Sequence, residues 1–310
     1  MSGAPRQIVD FLGAEPTPEQ WEAISYPLEP FVLVAGAGSG KTSVMAARVI
    51  YLAMAAQGLL GDARGVMPGN VLCLTFTNKA TENLALRTRT ALASIPGLDE
   101  GEEPEVLNYH GFASQVIERH GMRIGIEPGQ RIVTQAQRNE IAARVLDEMV
   151  FEHQDTRWQP SIVAKILSLD EQLQNHLREP DEVIAFNEEN LDALVRARSD
   201  EPLAAASERI ELAQGVKVFR RIKRELGVID FGDQIEMAVR IATEHPAVGQ
   251  GYRERFGAVL LDEYQDTNHA QAELMRALFG GGHPVTAVGD PDQNIYAWRG
   301  ASLHNLLAFP

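Results

Sequence analysis

The residues best equipped for chemistry are Ala35, Gly36, Ala37, Gly38, Ser39, Gly40, Lys41, Thr42 and Ser43. Closely spaced glycines let backbone N–H groups turn inward and form a concave nest for anions. In such a loop the lysine reaches the β- and γ-phosphates of a nucleotide, and the Thr42 hydroxyl holds Mg²⁺. Four apolar residues, Phe31 to Val34, precede the loop and read as a short buried strand. A helix is expected from near Lys41, with the positive end of its dipole aimed at the same phosphates. The strict pattern opens on glycine where this chain has Ala35, but Gly36, Gly38 and Gly40 remain. Alone, the loop specifies nucleoside triphosphate binding and leaves the following chemistry open.

A second apolar run, 258–261, ends in Asp262 and Glu263. An acid pair after a buried strand is what a phosphate loop needs: Asp262 to hold Mg²⁺ through water, Glu263 to orient and deprotonate the attacking water. A third run, 285–288, leads to Gln293, a neutral side chain able to hydrogen-bond a γ-phosphate or its water, and then to Tyr296, Trp298 and Arg299. That aromatic–cation group suits stacking on an unpaired base. A fourth run, 71–75, ends in Phe76, Thr77, Asn78 and Lys79. Phe76 reads equally as a stacking platform or a core residue, and Thr77 and Asn78 as phosphate contacts or a helix cap. His110 lacks an acidic neighbour to orient it as a base; a hydrogen bond to substrate phosphate and a place at a helix start both fit. Gln20 follows Thr17 by three residues, the spacing of a capping box, and its amide also matches an adenine edge.

These residues need an open α/β sheet, because side chains at parallel strand ends face one crevice. Four strand ends carry polar chemistry, all expected on one sheet edge. Between about 119 and 227 the pattern changes: helical periodicity appears at 134–149, 161–177, 181–198 and 203–226, punctuated by Pro160, Pro180 and Pro202. This reads as a helical subdomain, 119–229, inserted into a sheet domain made of 1–118 and 230–310, which Asp230 and Asp233 reopen. Lys217, Arg220, Arg221, Lys223 and Arg224 form the densest basic run, either a solvated helix face or a phosphate-tracking one. The remaining composition is that of a globular protein of 310 residues with 45% hydrophobic content. A net charge of −15 offers no global field for nucleic acid. One cysteine, Cys73, excludes an internal disulfide and a cysteine metal site, and no signal or membrane segment is visible, so a cytoplasmic location is expected.

Residues 20, 35–42, 76–80, 109–112, 230–233, 261–268 and 288–301, in that order, resemble the superfamily 1 DNA helicases of the UvrD/Rep/PcrA type. The resemblance implies a P-loop RecA-like α/β core (1A) with an inserted helical subdomain (1B), and ATP and Mg²⁺ as cofactors. It implies that Gln20 recognises adenine, that Lys41, Thr42, Asp262, Glu263 and Gln293 are the ATPase residues, and that Phe76, Thr77, Asn78, His110, Tyr296, Trp298 and Arg299 line a path for single-stranded DNA. The implied activity is 3′–5′ movement on single strands and at junctions with duplex, without a membrane partner. Family members often carry arginine where this chain has Ser43, a departure that is also similar to the RecB- and Adn-type helicase–nucleases. Nothing here matches the motifs of the family's second RecA-like domain. The sequence therefore predicts an N-terminal half that binds ATP and DNA weakly, with 2A and 2B domains or a partner subunit completing it. The alternative is a non-catalytic nucleotide- or DNA-binding module completed by a partner chain.

Overall fold

The strands are β1 (Phe31–Val34), β2 (Val71–Thr75), β3 (Glu105–Asn108), β4 (Arg131–Ile132), β5 (Val228–Ile229), β6 (Ala258–Leu261) and β7 (Val285–Gly289). The helices are α1 (Arg6–Leu12), α2 (Pro18–Ser25), α3 (Lys41–Ala56), α4 (Asn78–Leu92), α5 (Tyr109–His120), α6 (Gln135–Ala143), α7 (Val145–Glu148), α8 (Gln159–Asn175), α9 (Pro180–Arg196), α10 (Asp200–Glu225), α11 (Phe231–Glu244), α12 (Pro246–Arg255) and α13 (His269–Phe279). They come from a computed structural model that describes residues 4–36, 38–93, 95–98, 101–155, 157–196, 200–293 and 309. The chain divides into two compact units, Met1–Val116 with Val239–Pro310, and Ile117–Ala238.

The first unit holds a five-stranded sheet in the order β1-β7-β6-β2-β3, with every pairing parallel. β2, β6 and β7 are buried along their whole length, which explains their near-continuous apolar runs. β1 departs from the buried strand read in the sequence. It is an edge strand with a single neighbour, its residues are only part-covered, and Val34 is 57% exposed. Because all five strands run the same way, the segments after β1, β2, β3, β6 and β7 emerge on one edge. α3 is apolar nearly all round and runs through the core beneath that edge, with Met45, Ile50 and Leu52 almost fully covered.

α3 carries a charged side chain into this core. Arg48 of α3 is 2% exposed and donates to the carbonyls of Ala23, Ile24, Tyr26 and Pro27 and to the Thr286 hydroxyl, at 2.8–3.2 Å. Its guanidinium also lies 4.8 Å from the Phe31 ring. It thereby takes up the carbonyls left over where α2 ends and ties α2 to β7. Burial pulls its pKa down to about 10, which leaves it charged at neutral pH.

The second unit is helical, with a two-stranded parallel ribbon of β4 and β5 that the sequence periodicity did not reveal. The helices expected at 161–177, 181–198 and 203–226 are α8, α9 and α10; the one expected at 134–149 breaks at Arg144 into α6 and α7. The compact division falls after Ala238, inside α11, and so groups Asp230 and Asp233 with this unit. Both acids are held by cations of this unit. Lys223 is 3% exposed, and its ammonium donates to Asp230 at 2.9 Å and to both oxygens of Asp233 at 2.9 and 2.8 Å. Arg138 reaches Asp230 at 3.0 Å and Asp170 at 3.3 Å, and Arg220 reaches Asp170 at 2.7 Å and Glu179 at 3.2 Å. Lys217 pairs with Asp181, and Arg221 with Glu148 and Glu225. The basic run of α10 is therefore divided: Lys217, Arg221 and Arg224 are exposed, while Arg220 and Lys223 turn inward onto acids of the same unit.

Candidate nucleotide-binding site

The loop after β1 begins with the Ala35 N–H donating to the Gly289 carbonyl at 3.0 Å, which pins it to the end of β7. Gly38 (φ 74°) and Gly40 (φ 85°) adopt left-handed backbone that a side chain would strain. Gly40 is also the N-cap of α3, so the chain passes straight from the turn into the helix. The Ser39 hydroxyl and N–H both donate to the Gly36 carbonyl, at 2.8 and 3.3 Å. Lys41 is 8% exposed, and its ammonium lies 3.6 Å from a Glu263 oxygen.

Gln20 forms the capping box that its spacing allows and also reaches the phosphate loop. Its N–H donates to the Thr17 hydroxyl at 3.3 Å and its carbonyl accepts from the Thr17 N–H at 3.0 Å, completing the capping box. Its amide nitrogen then donates to the Ser39 carbonyl at 3.1 Å, joining α2 to the phosphate loop. Here the two polar ends of the Gln20 side chain face the cap and the loop.

The acids follow β6. Asp262 is 3% exposed; burial first, and Glu263 second, push its carboxyl up to about 6. Asp266 is raised to about 6 for the same two reasons in the same order. Glu263 has left-handed backbone at φ 46° and ψ 45°, a conformation that costs a non-glycine residue about 1–2 kcal/mol. One oxygen of its carboxylate, Oε2, lies 3.6 Å from the Lys41 ammonium and accepts from the Gln265 amide at 2.8 Å. Gln293, after β7, donates to the Asp290 carboxylate.

Gly38, Gly40, Lys41, Asp262, Glu263, Gln265, Asp266 and Gln293 line one cavity of about 720 Å³, together with Gly36, Thr42, Ser43, Phe76, Thr77 and Arg87. Gln265 and Asp266 lay within a stretch already singled out. Arg87 was missed as a site residue, although Ala80, Asn83 and Arg87 follow the i, i+3, i+7 spacing of one helix face. Its guanidinium donates to the Ser43 hydroxyl at 3.0 Å, so a cation stands beside the position where an arginine was missing.

Of the residues expected along a DNA path, Phe76 and Thr77 line the same cavity. Thr77 is also the N-cap of α4, accepting from the Ala80 N–H at 3.1 Å. Asn78 is turned to Asn108 and accepts a hydrogen bond from it, and His110 lies in the first turn of α5. Tyr296, Trp298, Arg299 and Ala37 lie outside the described residues.

The donor set fits Mg²⁺. Among the described residues no group of three or more His, Cys, Asp or Glu side chains is placed to cage a metal. Mg²⁺ does not need one, because it is held through one or two carboxylates, waters and substrate phosphates. One oxygen of Asp266, Oδ1, is buried without a hydrogen-bond partner beside this cavity, where a hydrated cation would satisfy it. Among the described residues no helix is long and apolar enough to cross a membrane.

Residues 16–310 match the family described as UvrD/REP helicase N-terminal domain. The ATP-dependent DNA helicase UvrD1 of Mycobacterium tuberculosis H37Rv is 33% identical over 98% of this chain and 36% of its own length. UvrD1 of Mycobacterium leprae is 31% identical over 98% of the chain and 37% of its own length. The ATP-dependent DNA helicase PcrA of Staphylococcus aureus NCTC 8325 is 30% identical over 94% of the chain and 35% of its own length. The chain thus spans little more than a third of the curated relatives it matches.

Proposed function

Because the chain belongs to the UvrD/REP helicase family, we propose that it is the nucleotide-binding core of an ATP-dependent 3′–5′ DNA helicase. The observation that carries this reading is the single cavity joining the phosphate loop, the Asp262–Glu263 pair and Gln293. In it the glycine loop and Lys41 bind the β- and γ-phosphates, while Thr42 and Asp262 hold Mg²⁺. The metal supplies charge neutralisation on the transferred phosphoryl group. Glu263 takes a proton from the water that attacks the γ-phosphorus, and Gln293 hydrogen-bonds the γ-phosphate or that water. Gln20 would read the adenine edge once it released the Ser39 carbonyl.

The sheet unit corresponds to the family's 1A core and the helical unit to its 1B subdomain. Single-stranded DNA and its junctions with duplex are the proposed substrate, with Phe76, Thr77, Asn78, His110, Tyr296, Trp298 and Arg299 along the strand. A second RecA-like domain or a partner subunit supplies the arginines that stabilise the transition state, groups worth about 10³–10⁵ in rate.

The test is ATP turnover of this chain with and without single-stranded DNA, beside Glu263→Gln and Lys41→Ala. Slow turnover abolished by Glu263→Gln, with nucleotide binding lost only in Lys41→Ala, is the expected result. Turnover indifferent to Glu263→Gln would remove the assigned base, and several turnovers per second without any partner would remove the need for completion.

A further inference from the structure

Glu263 has strained backbone, so its carboxylate needs support from its neighbours to keep one direction. Among the described residues it has two partners, Lys41 at 3.6 Å and Gln265 at 2.8 Å. The lysine is the group that nucleotide phosphates draw away. Gln265 remains. Its side chain is 1% exposed, and its two ends face different strands. The amide nitrogen donates to Glu263 after β6, and the amide oxygen accepts from the Asp290 N–H after β7 at 3.0 Å. This orientation is forced, because a carboxylate only accepts and a backbone N–H only donates. Asp290 in turn accepts from the Asp292 N–H at 3.0 Å and from the Gln293 amide. A continuous hydrogen-bonded line therefore runs from Glu263 through Gln265 and Asp290 to Gln293.

We infer that Gln265 is a positioning residue that aims the Glu263 carboxylate and ties its aim to the turn after β7. This rests on the proposed role of Glu263 as base. A shift of that turn, whatever ligand causes it, moves the Asp290 N–H and with it the amide that orients the base. Binding and chemistry are then separable: Gln265 sets the rate of the step that uses Glu263, and nucleotide affinity stays with the loop and Lys41.

The experiment uses Gln265→Met, which keeps the length and removes both hydrogen bonds, and Gln265→Glu, which replaces the donor with a second carboxylate. Single-turnover hydrolysis of radiolabelled Mg-ATP by the chain is followed across pH, with nucleotide affinity measured separately and folding checked by thermal melts. Gln265→Met is expected to lower the rate roughly ten- to hundredfold, the loss usual when the partner that orients a functional side chain is removed, with affinity held within about twofold. Gln265→Glu, which sets a like charge against Glu263 and donates nothing to it, is expected to lower the rate at least as far. A rate within about twofold of the parent in both variants, or a loss lying wholly in affinity, overturns the inference. Hydrolysis that survives Glu263→Gln instead overturns the base assignment. A second readout needs no turnover. The Asp290 amide resonance is expected to shift on Glu263→Gln in the parent and not in the Gln265→Met background; equal shifts in both would break the proposed line.

Discussion

Replacing Lys223 by methionine keeps the aliphatic stem and removes the ammonium, which lies 4.8 Å from the centroid of the Phe219 ring. Three hydrogen bonds to Asp230 and Asp233 disappear. Each is charge-assisted and worth about 1.5–3 kcal/mol, while the ammonium no longer bears a desolvation penalty of several kcal/mol. The net loss is that of breaking a buried ion pair, about 3–5 kcal/mol. It should depend on pH with a definite sign. Burial would raise Asp230, but Lys223 and Arg138 outweigh it and hold the carboxyl at about 2. Burial already pushes Asp233 up. Without Lys223 the folded carboxyls rise above their unfolded values, so the variant takes up protons on folding and its deficit narrows as pH falls from 8 toward 4. With a urea slope of about 1.5 kcal/mol/M, the midpoint of the helical unit drops by about 2–3 M at pH 8. Hydrogen exchange of α10 amides during the titration reports this unit by itself. Adding Asp233→Asn to Lys223→Met should recover part of the loss. A deficit that grows toward low pH, or a double variant as unstable as the sum of both singles, would refute the reasoning.

Glu236 lies 3.9 Å from Arg220, yet burial first, joined by Glu179, Asp233 and Asp170, pushes it up to about 7. Its charged form costs stability above pH 7 and costs none below 4.5. Glu236→Gln should therefore stabilise the helical unit by about 1–2 kcal/mol at pH 8, after discounting for partial exposure, and by nothing near pH 4.5; equal denaturation midpoints at pH 8 would count against it. Arg48→Met leaves the buried carbonyls of Ala23 and Ile24 without their donor, a loss of about 2–4 kcal/mol net of the relieved burial of charge. It should also weaken nucleotide binding, because α2 carries Gln20; a variant that melts earlier but binds nucleotide unchanged would separate the tether from the site.

Much of the sheet unit was legible because parallel strands buried on both faces must be apolar runs, and β6 and β7 run straight into acids. β6 and the phosphate loop were readable for that reason, as was the Thr17–Gln20 cap, whose pattern is local. What stayed hidden depended on partners distant in sequence. Lys223 looks like one more surface cation until Asp170, Asp230 and Asp233 are seen around it. The edge place of β1 depends on where β7 inserts. Gln265 sat in view inside the acidic stretch, but its function-bearing contact is to a backbone N–H on the next strand, which no spacing announces. Gln20 was readable as a cap, and only the geometry shows its amide nitrogen joined to the phosphate loop as well.

The sheet order also dictates when this site comes into being. Among the described residues β1, which launches the phosphate loop, pairs only with β7, so closing that contact spans roughly 250 residues of chain, a slow and entropically costly step. The helical unit, by contrast, is one uninterrupted segment, Ile117–Ala238. On a ribosome its charges can find each other while the first strand still waits for its neighbour. Nucleotide therefore has no finished loop to bind until β7 has been made, and the earliest-synthesised part of the site is among the last to be assembled.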